Sequence, residues 1–208
     1  MALTQHCSNV LYNYPINTKY DFTASFTYSI DTGGFNPSNN YGFSIFFING
    51  SSSEAVGGGC AEGLGIIDPA GSSYVGGLFL AAGFDFTGNF TAKTLGTAFT
   101  TGTPTPQPNS ICIRADTYFL YISSIQYTDV PLFYPIEADP VPWSTQTIRV
   151  GVRSNFQYLD LYFLNNQTYQ KLATFKTNLT TIPASMKFGI GYSGDTLFQV
   201  KNITMNYT

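Results

Sequence analysis

From Tyr20 to Ile30 the chain alternates without a fault. Tyr20, Phe22, Ala24, Phe26, Tyr28 and Ile30 fall on one face, and Asp21, Thr23, Ser25, Thr27 and Ser29 on the other. A period of two is that of a strand with one face buried and one in water. Gly42 to Ile48 (GFSIFFI) is apolar on both faces, as expected of a strand central to a sandwich, and stops at the turn signal Asn49-Gly50. Gly63 to Ile67 and Gly77 to Phe86 read as two further strands, the second interrupted by glycines that point to bulges or close backbone approach.

Thr87 to Asn109, rich in Gly, Thr and Pro, has no hydrophobic period and reads as an extended loop, a length usually tied to function or an interface. Ser110 to Arg114 and Tyr118 to Ser123 return to strand pattern before a second proline-rich passage, Pro131 to Pro142, which ends at Trp143. Gln146 to Arg153 and Phe156 to Leu164 flank Ser154-Asn155, read as a two-residue hairpin loop. Thr168 to Phe175, Met186 to Tyr192 and Phe198 to Tyr207 supply three more strands, with a phase shift near Lys201 that predicts a bulge. There is no credible long helix, internal repeat or linker. The expectation is an all-β, antiparallel β-sandwich of roughly eleven or twelve strands forming one domain over residues 1–208.

Composition narrows the function. Of 208 residues, 43% are hydrophobic, 16% aromatic and only 10% charged, which suits many short strands and disfavours disorder. So little charge on a free surface points to an exterior partly covered by partners, either further copies in a homo-oligomer or other structural proteins of a particle. Nine basic residues against twelve acidic, with no basic run, predict neither nucleic acid nor anionic lipid as a partner. The longest apolar stretch, Val75 to Phe84, holds three glycines and is too short for membrane insertion. The first twenty residues lack the pattern of a signal peptide, and the starting Met with an early first strand reads as a complete gene product. A virion or the cytoplasm of the producing cell is the expected location. Cys7, Cys60 and Cys112 have no paired spacing and are expected to be buried free thiols. Six N-x-S/T sequons, at Asn49, Asn89, Asn166, Asn178, Asn202 and Asn206, modestly exceed chance and are expected to be mostly bare.

Four segments in order resemble the concanavalin A-like, L-type (legume-type) lectin jelly roll: YGFSIFF (Tyr41 to Phe47), GGGCAEGLGI (Gly57 to Ile66), GFDFTGNF (Gly83 to Phe90) and PNSICIR (Pro108 to Arg114). TIRVGVRSNFQYLDLYF, MKFGIGYSGDT and FQVKNITM are similar to its late strands, so the likeness spans about residues 20–207. It is nearest in character to lectin-like proteins of viruses and bacteria. The resemblance implies a sugar site built from an Asp before the glycine of the first motif, a backbone NH of the glycine loop and an Asn after the FD pair. Gly57, Gly58, Gly59 and Asn89 match, whereas Tyr41 stands where the Asp would be. It also implies a divalent-cation site, but Gly83 replaces a glutamate, and no acidic residue or histidine lies between Asp85 and Asp116. One Asp and one Asn make a poor site for a hard cation, so no metal and no cofactor are expected.

The ligand-binding candidates are therefore Tyr41, Gly58, Gly59, Asp85, Asn89, Trp143 and Tyr192. Each has a structural reading beside it. Asp85 would hold its loop through backbone NH groups, Asn89 would serve a turn, and Trp143 would latch the proline-rich loop to the sandwich. Tyr41 and Tyr192 are expected on loops at one end, where their rings could stack on a sugar. Glu54, Glu62 and Glu137 have no carboxylate partner at strand spacing, and His6 is the sole histidine, without a G-x-S-x-G elbow, so no catalytic residue is assigned. Two functions remain: a non-catalytic, metal-independent glycan-recognition module, or a virion structural or decoration protein that uses the jelly roll for assembly.

Overall fold

The computed structural model describes residues 2–3, 7–31, 40–52, 63–66, 75–92, 110–115, 123–126, 143–165, 167–177, 179, 181–195 and 197–208. Their strands are β1 (Ala2–Leu3), β2 (Cys7–Asn17), β3 (Phe22–Asp31), β4 (Asn40–Asn49), β5 (Leu78–Asp85), β6 (Ser110–Ala115), β7 (Ser123–Gln126), β8 (Trp143–Arg153), β9 (Tyr158–Asn165), β10 (Thr168–Lys176), β11 (Ser185–Gly194) and β12 (Phe198–Tyr207). One short helix, α1 (Asn89–Ala92), follows β5. The strands form two six-stranded antiparallel sheets, in the orders β1-β12-β3-β8-β9-β10 and β2-β11-β4-β5-β6-β7.

The core between the sheets follows from the alternation. Phe22, Phe26 and Tyr28 of β3 point inward and meet Phe43 and Phe47 of β4, Phe84 of β5 and Phe188 of β11. Aromatic rings fill this layer in stacked and edge-on pairs: Phe43 lies 4.4 Å from Phe84, and Tyr192 4.6 Å from Phe198. Such pairs add to the burial of their own area. The strand β4 is apolar on both faces because its sheet is covered twice. Its outer side carries a second cluster of Phe46, Ile48, Leu64, Ile66, Val75, Leu78, Ala81, Phe90 and Cys112. The outer sides of β3, β8, β9 and β10 instead carry polar and charged side chains.

Several expectations change. Residues 63–66 form a turn, not a strand, since Leu64 and Gly65 adopt φ of 50° and 78°, values no strand accommodates. The apolar alternation there buries Leu64 and Ile66 against β4 and β11 rather than pairing a strand. The β8–β9 connection is a four-residue turn, Ser154 to Gln157, because Arg153 pairs with Tyr158. Ser154, Asn155 and Phe156 all take positive φ, and Phe156 is drawn into the core against Phe22 and Phe47. The first strand of the second sheet, β2, has no counterpart in the sequence reading: it is an edge strand, half-exposed through most of its length, and it tolerates Pro15. The bulge on β12 lies between Lys201 and Thr204, with Asn202 at φ 52°. The expected strand at Tyr118 to Ser123 meets the described residues only at Ser123, where β7 begins. Residues 93–109 and 131–142 lie outside the described residues.

Candidate functional site

The segments that carry the resemblance converge where β4 begins and β5 ends. Gly42 pairs with Asp85, and the NH of Phe86 donates to the carbonyl of Tyr41 at 2.8 Å. Gly42 sits at φ 138°, and a Cβ there would lie 2.0 Å from the Phe84 carbonyl oxygen, so this close approach of backbones requires glycine. Asp85 is fully buried. Its Oδ1 accepts the NH of Gly88 at 2.8 Å and the hydroxyl of Thr87 at 3.3 Å, while Thr87 Oγ1 accepts the NH of Asn89 at 3.4 Å. A buried carboxylate thus folds the turn Thr87-Gly88 and starts α1. The side chain of Asn89 remains partly exposed, as does Tyr41, which packs against the outer cluster.

The next side chain explains how the turn is held down. Phe90 is fully buried over β5, at the place a side chain on Gly83 would occupy: a Cβ there would meet Phe90 Cε1 at 2.4 Å and Leu64 Cδ1 at 2.9 Å. From the adjacent β6, the buried guanidinium of Arg114 lies 5.1 Å from the centre of the Phe90 ring. The divalent-cation site implied by the resemblance needs a carboxylate at position 83. That place is filled by an aromatic ring and a leucine methyl, and Asp85 is committed to its own turn. Among the described residues no three His, Cys, Asp or Glu side chains gather to hold a metal. The described residues around Gly83 and Asp85 do not supply a ligand set for the cation.

The candidates are distributed as follows. Tyr41, Asp85 and Asn89 come together, but Tyr41 stands in β4 and not on a loop, because the pairing of β4 with β11 starts at Asn40. Gly57, Gly58 and Gly59 lie outside the described residues. Trp143 opens β8 and pairs with Asp31, on the other sheet. Tyr192 is not on a loop: it is an inward residue of β11, 1% exposed, stacked on Phe198. It belongs to the core, because the alternation of Met186, Phe188, Ile190 and Tyr192 directs all four between the sheets. The expected free thiols also need correction, since Cys7 is disulfide-bonded. Distance in sequence concealed this. The turn 63–66 lies beside the start of β2, with Asn9 Nδ2 donating to the Gly65 carbonyl at 3.1 Å. Cys112 is a buried free thiol, and Cys60 lies outside the described residues. Sequence reasoning missed Phe90 and Arg114. The signal was a buried-looking aromatic and a lone arginine in otherwise apolar or small-residue surroundings, near a glycine in β5.

No protein-family model matches the chain, and no curated protein matches its sequence. Solved structures do match its fold. The metal-free form of lectin I-B4 from Griffonia simplicifolia is similar over 99% of this chain and 82% of its own, with a TM-score of 0.60 at 16% identity. A lectin from Bauhinia forficata in complex with GalNAc is similar over 99% and 81%, with a TM-score of 0.61 at 15% identity. The carbohydrate recognition domain of Emp46p, in a potassium-bound form, is similar over 97% and 79%, with a TM-score of 0.57 at 10% identity. The chain has the concanavalin A-like, L-type lectin fold.

Proposed function

We propose that the chain is a non-catalytic glycan-recognition module whose site lies where Tyr41 and the turn Thr87 to Asn89 meet, and that the site works without a metal. The observation that carries this is the anchoring of the turn by Asp85, which accepts the NH of Gly88, together with Phe90 seated on Gly83. These contacts do for the loop what a cation would otherwise do: they fix its backbone before a ligand arrives, so no ordering cost falls on binding. The amide of Asn89 can both donate to and accept from neighbouring sugar hydroxyls, and the Tyr41 ring offers a flat apolar face. Asp85 is a positioning residue, since its full burial keeps it from a ligand. The fold of the two plant lectins and of Emp46p supports the glycan reading, and the absence of paired carboxylates or a triad in the sequence supports a non-enzymatic role.

A glycan array probed with and without EDTA tests this. Chelator-resistant binding that Tyr41→Ala and Asn89→Ala weaken at least tenfold, at unchanged melting temperature, is the expected result. Binding abolished by EDTA refutes the metal-free site. Silence across the array refutes glycan recognition and leaves assembly into a larger particle, a reading favoured by the exposed rings of Tyr14, Tyr20 and Tyr207, which are 72%, 59% and 58% exposed.

A further inference from the structure

The outer face of the sheet β12-β3-β8-β9-β10 gathers charge that the linear sequence scatters. Ile148, Val150 and Val152 of β8, Ala173 and Phe175 of β10, and Phe198 and Val200 of β12 point into the core. Arg149, Arg153, Lys176 and Lys201, each next to one of these, therefore lie on the opposite face, and the register shift between Lys171 and Ala173 brings Lys171 there as well, where its Nζ reaches Asp160. These are five of the nine Lys and Arg in the chain. Among the described side chains within these strands, Asp160 is the only carboxylate on that face. Four basic residues are left against eleven acidic ones in the rest of a chain whose net charge is −3. Arg153 and Lys171 share the single carboxylate of Asp160. Arg149, Lys176 and Lys201 form no ion pair among the described residues, so the face keeps a clear positive excess.

Three of these cations lie over tyrosine rings. The Arg149 guanidinium is 3.4 Å from the centre of Tyr169, that of Arg153 is 5.0 Å from Tyr158, and Lys171 Nζ is 5.4 Å from Tyr162. Stacking holds each head group in place. Register sets the spacing. Arg149 and Lys171 both pair with Tyr162, and Arg153 and Lys176 both with Tyr158, from the two sides of β9. Each cation pair is thus two strands apart, roughly 10 Å, and the two pairs lie about 13 Å apart along the strands. Hydroxyls of Ser25, Thr27, Thr147 and Thr204 extend the face toward Lys201.

We infer that this face is a docking surface for an extended acidic polysaccharide, separate from the loop site at Tyr41 and Asn89. Its carboxylates or sulfates would pair with Arg149, Arg153, Lys171 and Lys176, three of which are held in place by the rings of Tyr169, Tyr158 and Tyr162. The spacing selects this occupant over nucleic acid, whose duplex carries one negative charge about every 1.7 Å of helix axis and would leave most of its phosphates unanswered. A polysaccharide charged on alternate sugars carries widely spaced anions with an apolar ring face between them. Guanidinium groups suit both carboxylate and sulfate because their paired NH groups match two oxygens at once.

The test is retention of the whole chain on immobilised hyaluronan and chondroitin sulfate, with neutral dextran, oligodeoxythymidine and phosphatidylserine vesicles as parallel probes. Retention on both acidic polysaccharides and not on dextran, released by added salt as expected for exposed charges, is the expected result. Arg149→Ala with Lys176→Ala should weaken it at least tenfold, and Lys176→Glu with Lys201→Glu, at positions that make no stacking contact, should do so without moving the melting temperature. Tyr41→Ala should leave it intact, which separates this surface from the loop site. No retention at low ionic strength, tighter binding to oligodeoxythymidine or to the vesicles, or loss through Tyr41→Ala alone would each overturn the inference. So would concentration-dependent self-association abolished by the same charge substitutions, which would make the acidic surface of a second copy the occupant.

Discussion

Phe90→Ala removes the ring that ties α1 to β5, and its consequence can be worked from the neighbours. The side chain is fully buried between Gly83, Leu64 and the guanidinium of Arg114. Truncating such a phenylalanine costs about 3–5 kcal/mol through lost transfer energy and the cavity left behind. For a chain of this size each kcal/mol lowers the melting temperature by roughly 2–4 °C, so a fall on the order of 10 °C is expected. Gly83→Ala approaches the same contact from the other side. Its Cβ would sit 2.4 Å from Phe90 Cε1, and relieving that overlap costs about 1–3 kcal/mol. In the double variant the ring is gone and only Leu64 Cδ1, at 2.9 Å and at the end of a flexible side chain, stands in the way. The added methyl then partly fills the cavity. Urea unfolding of the four proteins should show the double variant more stable than the two single losses predict, by about 1–3 kcal/mol. Additivity within about 0.5 kcal/mol would refute the contact, and with it the account of how the turn is held without a cation.

Acid stability should depend on Asp160. Burial alone raises its pKa, but hydrogen bonds from Arg153, Thr174 and Lys171 outweigh this and leave it below the ordinary carboxylate value. Its contribution is therefore present above about pH 4 and is lost as pH falls through the lower folded value. Asp160→Asn should flatten the acid limb of a stability profile; an unchanged limb would show that other carboxyls govern it. Burial pushes the Cys112 thiol up to about 12. Alkylation at neutral pH should leave the native protein unlabelled and label one thiol after denaturation without reductant, whereas labelling of three there would contradict the bonded Cys7.

The alternation of β3 and the doubly apolar run of β4 could be read directly, because burial on one face or two writes itself into the period of side chains. The turn 63–66 and the edge strand β2 could not. In the first, Leu64 and Ile66 are buried by a tertiary surface that strand and turn would populate alike; in the second, half-exposure erased the alternation. At the candidate site, Tyr41, Asp85 and Asn89 were legible through resemblance, but the fit of Phe90 to Gly83 was not, because it joins two residues by volume rather than by chemistry.

By itself the sequence determined an all-β chain, the core-facing residues of its regularly alternating strands such as β3, and most of its strand boundaries, since these depend on local period and turn chemistry. Only the tertiary structure decided that Tyr192 is core, that Cys7 is bonded, and that five scattered cations share one face around Asp160. Each of these depends on which strands become neighbours and in what register, and pairing between strands far apart in the chain leaves no mark on the residues between them.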